Sequence, residues 1–449
     1  MKATMKILLF SDQWYPIGGG IEQYLKGLAA ELQRRGADVA MLTAGHDGCP
    51  EREIWQGIEV VRTRLLNGAI RDPAPVLARW PHMVPLVEAI APDIIFANHH
   101  TSVAAIEIAR HLDLPVVYGY HGTGLLCPQR IRFLKPDKSL CYNERSVDNC
   151  LACRREMTNL DRVTGVRSAL NALHRLIRPD SIRQQVSERV ARYDRYQALL
   201  ESADALVVQA PAWMQFFRGD RPIYAPRYGI DTETFRPVDA SSFRQKYGVG
   251  ERYVLVTSRI HESKGQDWAI AALAGLPDDI QLVLAGNSSL FTGPKHEDNI
   301  HTQRARATIE RLKLRERVVF TGFLKTEELV SAYSGAIATI VPSIWFDPYP
   351  NVLLEALACA CPVVATETVG SAEVLTEGSN GYIVPRMDPQ SIATAVKAIV
   401  PRRPDMGRAA RQTAERDLNW EKVGGDVLQI LERAIADRRA RRPQPAPPS

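Results

Sequence analysis

Asp347 and Glu355 stand eight positions apart in PSIWFDPYPNVLLEALACACPVV, residues 342–364. A Pro-bounded loop carries the first acid. The spacing predicts a helix from near Asn351, with the second acid about one turn inside it. The start of such a helix, at Asn351 and Val352, offers unpaired backbone N–H groups that bind a phosphate well. Pro350 costs nothing there, because its missing N–H would be unpaired anyway. An acid before the helix, amides at its mouth and an acid one turn inside can together grip a sugar, a diphosphate and a ribose.

Two cations suit the same task. Arg259 and Lys264 share one predicted strand-to-helix loop, in VLVTSRIHESKGQDWAI. They can neutralise a leaving diphosphate without a metal, Arg by bidentate contact and Lys as a compact charge. The bland alternative is a pair of solvated loop charges. Gly18, Gly19 and Gly20 follow the first predicted strand and open a helix over Glu22–Arg35. Glycines let backbone approach a phosphate, although this run lacks the G-x-G-x-x-G spacing of a dinucleotide loop. A turn needing positive φ would explain them equally. His121 ends the predicted strand in VVYGYHGTG, where it can reach a ligand or sit hydrogen-bonded in the interior. Asn98, His99 and His100 end the strand before it. With Glu22 they are candidate acceptor residues. Gly286 and Gly322 also close strands, a weak signal by itself.

Cys127, Cys141, Cys150 and Cys153 form a loop-borne cluster with one Cys-x-x-Cys pair. Four thiolates can hold a structural zinc, though the other spacings fit no standard finger. Unligated thiols, an iron–sulfur cluster and disulfides are the alternatives, the last disfavoured in a reducing compartment. Cys359 and Cys361 read as core, and Cys49 has no evident partner.

The elements that must position these groups follow from size and periodicity. A chain of 449 residues exceeds one core and suits two domains. Apolar runs at Ile7–Phe10, Val39–Leu42, Ile94–Ala97, Val116–Tyr118 and Leu206–Val208 alternate with amphipathic helical stretches. A second set follows at Val254–Thr257, Leu282–Leu284, Val318–Phe320, Ile337–Val341 and Val363–Ala365. Continuous apolar strands spaced by helices predict parallel sheets covered on both faces, hence two Rossmann-like α/β domains. Ligands would bind outside the carboxyl ends of the strands. The Pro-rich stretch Pro222–Pro237 marks the boundary. The expected domains are 1–222, with a Cys-rich and Arg-rich insertion at about 122–200, then 223–419, then a final helix and tail over 420–449. No internal repeat of solenoid length is evident.

The net charge of +5 is too small to indicate nucleic-acid binding. No run reaches transmembrane length, and the first apolar run reads as a buried strand, so the cytoplasm is the expected compartment. Residues 154–196 hold ten Arg against five acids. Val166, Leu170, Leu173 and Ile177 form one apolar stripe there, and Ile182, Val186, Val190 and Tyr193 another. Such helices can lie on an anionic membrane surface, or pack inward with a solvated Arg face. The end, ADRRARRPQPAPPS, reads as a disordered tail.

The Asp347–Glu355 spacing resembles the acidic signature of GT-B glycosyltransferases of family 4, where two Glu flank seven residues. GGGIEQYLKGLAAELQRRGADV resembles the family's first-domain motif, and GIDTETFRP the segment that begins its second domain, with Tyr228 at the usual Asn. Arg259, Lys264 and Gly265 resemble its "R-x(4)-K-G" element. His121 resembles its sugar-facing His, and Gly286 and Gly322 its loops near the nucleotide. The cysteine insertion resembles one found in a subset of the family. The likeness spans roughly Met5 to Arg439.

The resemblance implies two Rossmann-like domains facing a cleft and a last helix, about Trp420–Arg439, crossing back to the first. It implies sugar transfer from a nucleotide diphosphate sugar to an acceptor hydroxyl, with retention and without a catalytic metal. Gly19, Gly20, Arg259, Lys264, Gly286, Gly322, Asn351, Val352 and Glu355 would bind the donor. Asp347 would take sugar hydroxyls, with His121 facing the sugar. The acceptor would be lipid-linked or an oligosaccharide, in polysaccharide or glycolipid assembly. The family's first Glu is Asp347 here, which reaches roughly 1.5 Å less far and puts donor identity in doubt. Two rivals stay open: a nucleotide-sugar epimerase on the same fold, and a binding scaffold without catalysis.

Overall fold

The computed structural model describes residues 4–15, 19–68, 73–122, 124–128, 134–135, 137–142, 144–160, 179–287 and 300–441, the side chains of 155–160 and 179–180 excepted. Gly18, the stripe from Val166 to Ile177, Arg167, Arg175, Arg178 and the tail from 442 lie outside the described residues. The chain divides into two compact units, 1–226 with 424–449, and 227–423.

The first unit holds an eight-stranded sheet. Its strands are β1 (Lys6–Ser11), β2 (Asp38–Ala44), β3 (Arg52–Trp55), β4 (Ile58–Thr63), β5 (Ile94–Asn98), β6 (Val116–Tyr120), β7 (Ala205–Val208) and β8 (Ile223–Tyr224). The spatial order is β3-β4-β2-β1-β5-β6-β7-β8, and β3 with β4 is the antiparallel pair. Every residue of β5, β6 and β7 is buried, so both faces are covered, as unbroken apolar runs require. The chain winds from β1 out to β2, then returns to place β5 on the other side of β1. That reversal opens a crevice at the carboxyl ends of β1 and β5.

The second unit repeats the plan with six parallel strands. They are β9 (Tyr253–Thr257), β10 (Gln281–Ala285), β11 (Val318–Gly322), β12 (Ala338–Val341), β13 (Val363–Thr366) and β14 (Gly381–Val384), in the order β11-β10-β9-β12-β13-β14. Its reversal lies between β9 and β12.

The last helix, Trp420–Arg441, counts with the first unit from Gly424 onward. Val427 and Leu431 are fully buried. Arg438 pairs with Asp204 at 3.1 Å and Asp113 at 2.8 Å. Asp204 also accepts the backbone N–H of Val116 at 2.9 Å, so this acid links β6 to the last helix.

All ten expected strands are present, most longer by a residue or two at one end or both. β3, β4, β8 and β14 escape the sequence reading. β3 alternates exposed and half-buried residues, β8 has two residues, and β14 is a sheet edge. None of these is a long apolar run, so hydrophobic periodicity misses them. Among the described residues, no helix is long and apolar enough to cross a membrane.

Candidate functional site

In the second unit the loop after β9 meets the loop after β12. Gly265 makes the meeting tight. It sits at φ +72°, and a Cβ there would lie 1.9 Å from the Pro342 carbonyl oxygen. Ile344 N–H donates to the Ser263 carbonyl at 2.9 Å across the same junction. The result places Lys264 Nζ 2.6 Å from Asp347 Oδ2, with side-chain exposures of 18% and 5%. Ser343 donates to the same oxygen at 2.6 Å. The loop after β13 holds the acid's backbone: Asp347 N–H donates to Thr368 O at 3.0 Å and Gly370 N–H to Asp347 O at 2.8 Å.

The shorter acid thus has a defined partner. Asp347 Oδ2 holds Lys264, while Oδ1 meets no hydrogen-bond partner among the described residues. Arg259 is half-buried, and its guanidinium meets no hydrogen-bond or ion-pair partner among the described residues. Burial pushes its pKa down, and the charge of Asp347 works against that shift. A half-buried guanidinium with no hydrogen-bond partner among the described residues suits an anion.

The helix Asn351–Ala358 begins beside this acid, with Pro350 as its cap residue and no side chain bonded to its first amides. Asn351 and Val352 are half-buried. Glu355 lies inward at 7% exposure and accepts from Tyr333 Oη at 2.8 Å. Tyr333 Oη in turn lies 2.8 Å from the Thr257 hydroxyl at the end of β9. Since Tyr333 gives its proton to Glu355, Thr257 donates to Tyr333. Glu355 Oε1 meets no hydrogen-bond partner among the described residues. Burial pushes this carboxyl up to about 7, against the Tyr333 hydrogen bond that holds it down.

Gly286 has a structural reason of its own. Its φ is +135°, and a Cβ there would lie 2.1 Å from the Ser258 carbonyl oxygen. Its N–H donates to Gly322 O at 2.8 Å, so the ends of β10 and β11 adjoin.

The first unit gathers a different set at its own reversal. His99 Nδ1 lies 2.6 Å from Asp12 Oδ1, across the ends of β5 and β1. The His99 backbone sits at φ 76°, ψ 159°, a region costing a non-glycine residue about 1–3 kcal/mol. Tyr118 Oη donates to the His99 carbonyl and holds it there. Asn98 Oδ1 accepts from His121 Nε2 at 2.8 Å. Burial, with the charge of His99 adding, pushes the His121 imidazole down to about 3, so it is neutral. Gly19 and Gly20 open the helix Gly20–Arg34, and Glu22 accepts the Gly19 N–H at 3.1 Å and pairs with Lys26. Helix capping therefore accounts for Glu22.

The four clustered cysteines form no disulfide, and Cys127, Cys150 and Cys153 are buried with Cys141 half-buried. Burial, then the charges of Cys127 and Cys141, push the Cys150 thiol up to about 11. Among the described residues, no group of three or more His, Cys, Asp or Glu is assembled to hold a metal. The zinc expectation thus finds no formed site. Val186 and Val190 of the helix Pro179–Leu200 pack against Cys150 and Leu151, so this apolar stripe faces inward.

Sequence reasoning missed Asp12, Thr257, Tyr333 and Ser343. Asp12 and Thr257 carried a faint signal as polar residues at strand ends. Tyr333 carried none.

Glu355 yields a test by pH. Its folded value of about 7 exceeds the ordinary 4.5, so between these values the folded state keeps a proton that the unfolded chain has lost. Stability falls as pH rises through that window, by roughly 2–3 kcal/mol from this group. Glu355→Gln should therefore be more stable than wild type at pH 8 and about equal at pH 4.5, in urea unfolding. Tyr333→Phe removes the bond that favours the charged form, so the wild-type fall should move to higher pH. A Gln variant weaker than wild type at pH 8 would show that Glu355 is well solvated or well paired.

Two family profiles match the chain: "Glycosyltransferase Family 4" over residues 18–170 and "Glycosyl transferases group 1" over residues 239–416. A D-inositol 3-phosphate glycosyltransferase of Acidothermus cellulolyticus is 30% identical, over 47% of this chain and 48% of the relative. A GDP-mannose-dependent alpha-(1-6)-phosphatidylinositol monomannoside mannosyltransferase of Mycolicibacterium smegmatis is 33% identical, over 45% and 54%. The matched stretch spans about half the length of these relatives. Among solved structures, sucrose-phosphate synthase from Thermosynechococcus elongatus superposes with TM-score 0.68 at 20% identity, covering 96% of this chain and 100% of that one. HepE of Anabaena, in complex with UDP, gives TM-score 0.65 at 19% identity, with coverages of 96% and 100%. At such identities the structures speak to fold alone. With both profiles matched and two parallel-sheet units in place, the chain belongs to the family 4, group 1 glycosyltransferases and has their GT-B fold.

Proposed function

We propose that the protein transfers a hexose from a nucleoside diphosphate sugar to an acceptor hydroxyl, with retention at the anomeric carbon. The observation that carries this is Arg259, half-buried and without a partner among the described residues, beside the Lys264–Asp347 pair and the uncapped start of helix Asn351–Ala358. Three sources of positive potential converge on one end of the sheet, and a diphosphate is the ligand they suit. Glu355 Oε1 would accept ribose hydroxyls, and Asp347 Oδ1 a sugar hydroxyl. Gly286 and Gly322, adjoining at the same sheet end, would leave room for the nucleotide. Gly19, Gly20, His121 and the acceptor candidates lie in the first unit, at strand or helix ends.

In transfer, the bond from the anomeric carbon to the diphosphate oxygen breaks. A bond from that carbon to the acceptor oxygen forms, and the acceptor proton ends on the departing diphosphate. Arg259 and Lys264 stabilise the charge that builds on the leaving oxygens, the electrostatic contribution that usually dominates. The two cations make an added divalent ion unnecessary. The names of the relatives make GDP-mannose and UDP-glucose the first donors to try, with inositol phosphates and phosphatidylinositol glycolipids as acceptors. Such acceptors would belong to glycolipid or polysaccharide assembly. A structural zinc at Cys127, Cys141, Cys150 and Cys153 would have to draw the thiols together.

Arg259→Ala should lower turnover by about two to three orders of magnitude, the scale for one preorganised charge contact. Lys264→Ala should do the same and also cost roughly 3 kcal/mol of stability, because it strands the buried Asp347 carboxylate. Near-wild-type turnover by both folded variants would remove the diphosphate assignment.

A panel of nucleotide sugars, with and without acceptors, separates the readings. Transfer gives a new glycoside, an epimerase releases nucleotide without one, and a scaffold gives neither. Activity should survive a chelator; loss restored by Mg²⁺ and not by Zn²⁺ would contradict metal independence. Elemental analysis of the same preparation decides the zinc, with less than about a tenth of an equivalent favouring free thiols.

A lipid-linked acceptor requires reversible docking on a bilayer, and the Arg-rich segment 154–196 is the candidate surface. Each basic residue near an anionic surface adds about 1 kcal/mol, weakened by salt. The protein should co-sediment with anionic liposomes at low salt and leave them at high salt. Replacing Arg167, Arg175 and Arg178 by Ser should weaken the binding. A wild-type chain that ignores anionic liposomes at low salt would point to a soluble acceptor.

A further inference from the structure

Asp12 and His99 span the reversal point of the first sheet, where ligands of open parallel sheets bind. Donor binding as read above uses neither. Asp12 follows β1 and His99 follows β5, so the pair closes the crevice from both sides.

We propose that Asp12 and His99 form a binding pair for a hydroxyl of the acceptor, with Nε2 of His99 accepting the hydrogen bond. This rests on the transfer reading. Asp12 is ionised: burial pushes its carboxyl up, but the charge of His99 and the hydrogen bond from it outweigh that and set it below the ordinary range. A carboxylate only accepts, so Nδ1 of His99 is the donor, and a ring holding its single proton there offers the Nε2 lone pair. His99 is 9% exposed, and Nε2 meets no hydrogen-bond partner among the described residues. An acceptor atom in a nine-tenths buried side chain, at the mouth of a crevice, is satisfied when a ligand hydroxyl arrives.

The neighbours select the ligand class. The His100 ring lies 3.9 Å from that of His99, and Tyr118 spends its proton on the His99 carbonyl. His121 is neutral, donates to Asn98, and rests against Tyr24 at 5.2 Å. The fixed charge facing His99 is the Asp12 carboxylate. That setting suits an uncharged sugar or polyol hydroxyl and repels a phosphate. Where the acceptor carries an anion, the anion must sit away from this pair. The strained backbone at His99 aims the ring, and the Tyr118 hydrogen bond keeps it aimed.

The test has two arms. In nitrogen-15 histidine-labelled protein at pH 8, the His99 ring should show a protonated Nδ1 and a bare Nε2. Asp12→Asn should abolish that fixed tautomer, and a protonated Nε2 in wild type would overturn the proposal. In transfer assays, Asp12→Asn and His99→Gln should lower kcat/KM for the acceptor roughly 10- to 100-fold, the range for a hydrogen bond involving a charged pair. UDP and GDP affinities should stay within about twofold, which a misfolded variant would not achieve. Unchanged acceptor kinetics in both variants would overturn the proposal. If the wild-type chain makes no product with any donor and acceptor, the transfer reading falls instead, and the His99 ring resonances still decide the pair.

Discussion

The ion pair between Lys264 and Asp347 joins two loops that leave the sheet on opposite sides of its winding reversal. Neither charge is stable there alone. Asp347 is nearly dry, and a buried carboxylate without a partner costs several kcal/mol. The pair therefore demands the whole local design: Gly265 pressed on the Pro342 carbonyl, Ser343 as a second donor, and backbone bonds from Asp347 to the loop after β13. The pair also resolves the shorter acid. A Glu reaches farther by one methylene, but one oxygen of Asp347 is already committed to Lys264. The other oxygen meets no hydrogen-bond partner among the described residues.

Two further groups in this unit are held in states that folding disfavours. Arg259 keeps a charge in a half-buried setting with no hydrogen-bond or ion-pair partner among the described residues, and Glu355 is buried until its carboxyl titrates near 7. A sequence chosen for stability would pair the first and replace the second by an amide. Such departures concentrate where a ligand completes the structure. Tyr333 and Thr257 limit the cost at Glu355. Their directed hydrogen bonds satisfy one carboxylate oxygen, while the other meets no hydrogen-bond partner among the described residues. The same bonds fix the side chain's orientation, so the group stays ready without sampling rotamers.

Strands were legible because β1, β2, β5, β6, β7, β9, β10 and β13 each hold an apolar run of three or four residues, and such runs between helical patterns have one easy reading. The helix Asn351–Ala358 was legible from its Pro-bounded start and the acid one turn in. Pairings were not. Lys264 and Asp347 lie 83 positions apart, and Asp12 and His99 lie 87 apart. Each contact depends on strand order, and strand order leaves no local mark on the chain. Glu22 has a structural role that spacing did not show. Its place after a glycine run resembled a binding motif, while helix capping explains it. The cysteines show a third case, in which residue type and spacing suggested a metal site that the described residues do not assemble.

The two units apply one topology to opposite chemistry. Each reverses its winding beside its first strand, and each sets an acid against a base across the reversal. In the second unit Asp347 offsets only one of two cations, so a net positive potential remains and an anion fits. In the first unit the Asp12 carboxylate meets His99, while the neutral His121 is bonded to Asn98. What this pair offers, on the proposal above, is a hydrogen-bond acceptor on His99. A diphosphate and a sugar hydroxyl are the ligands that the proposed transfer gives to these two sites. On that proposal, charge count at the reversal points, more than the shape of the sheets they share, divides the work between the halves of the chain.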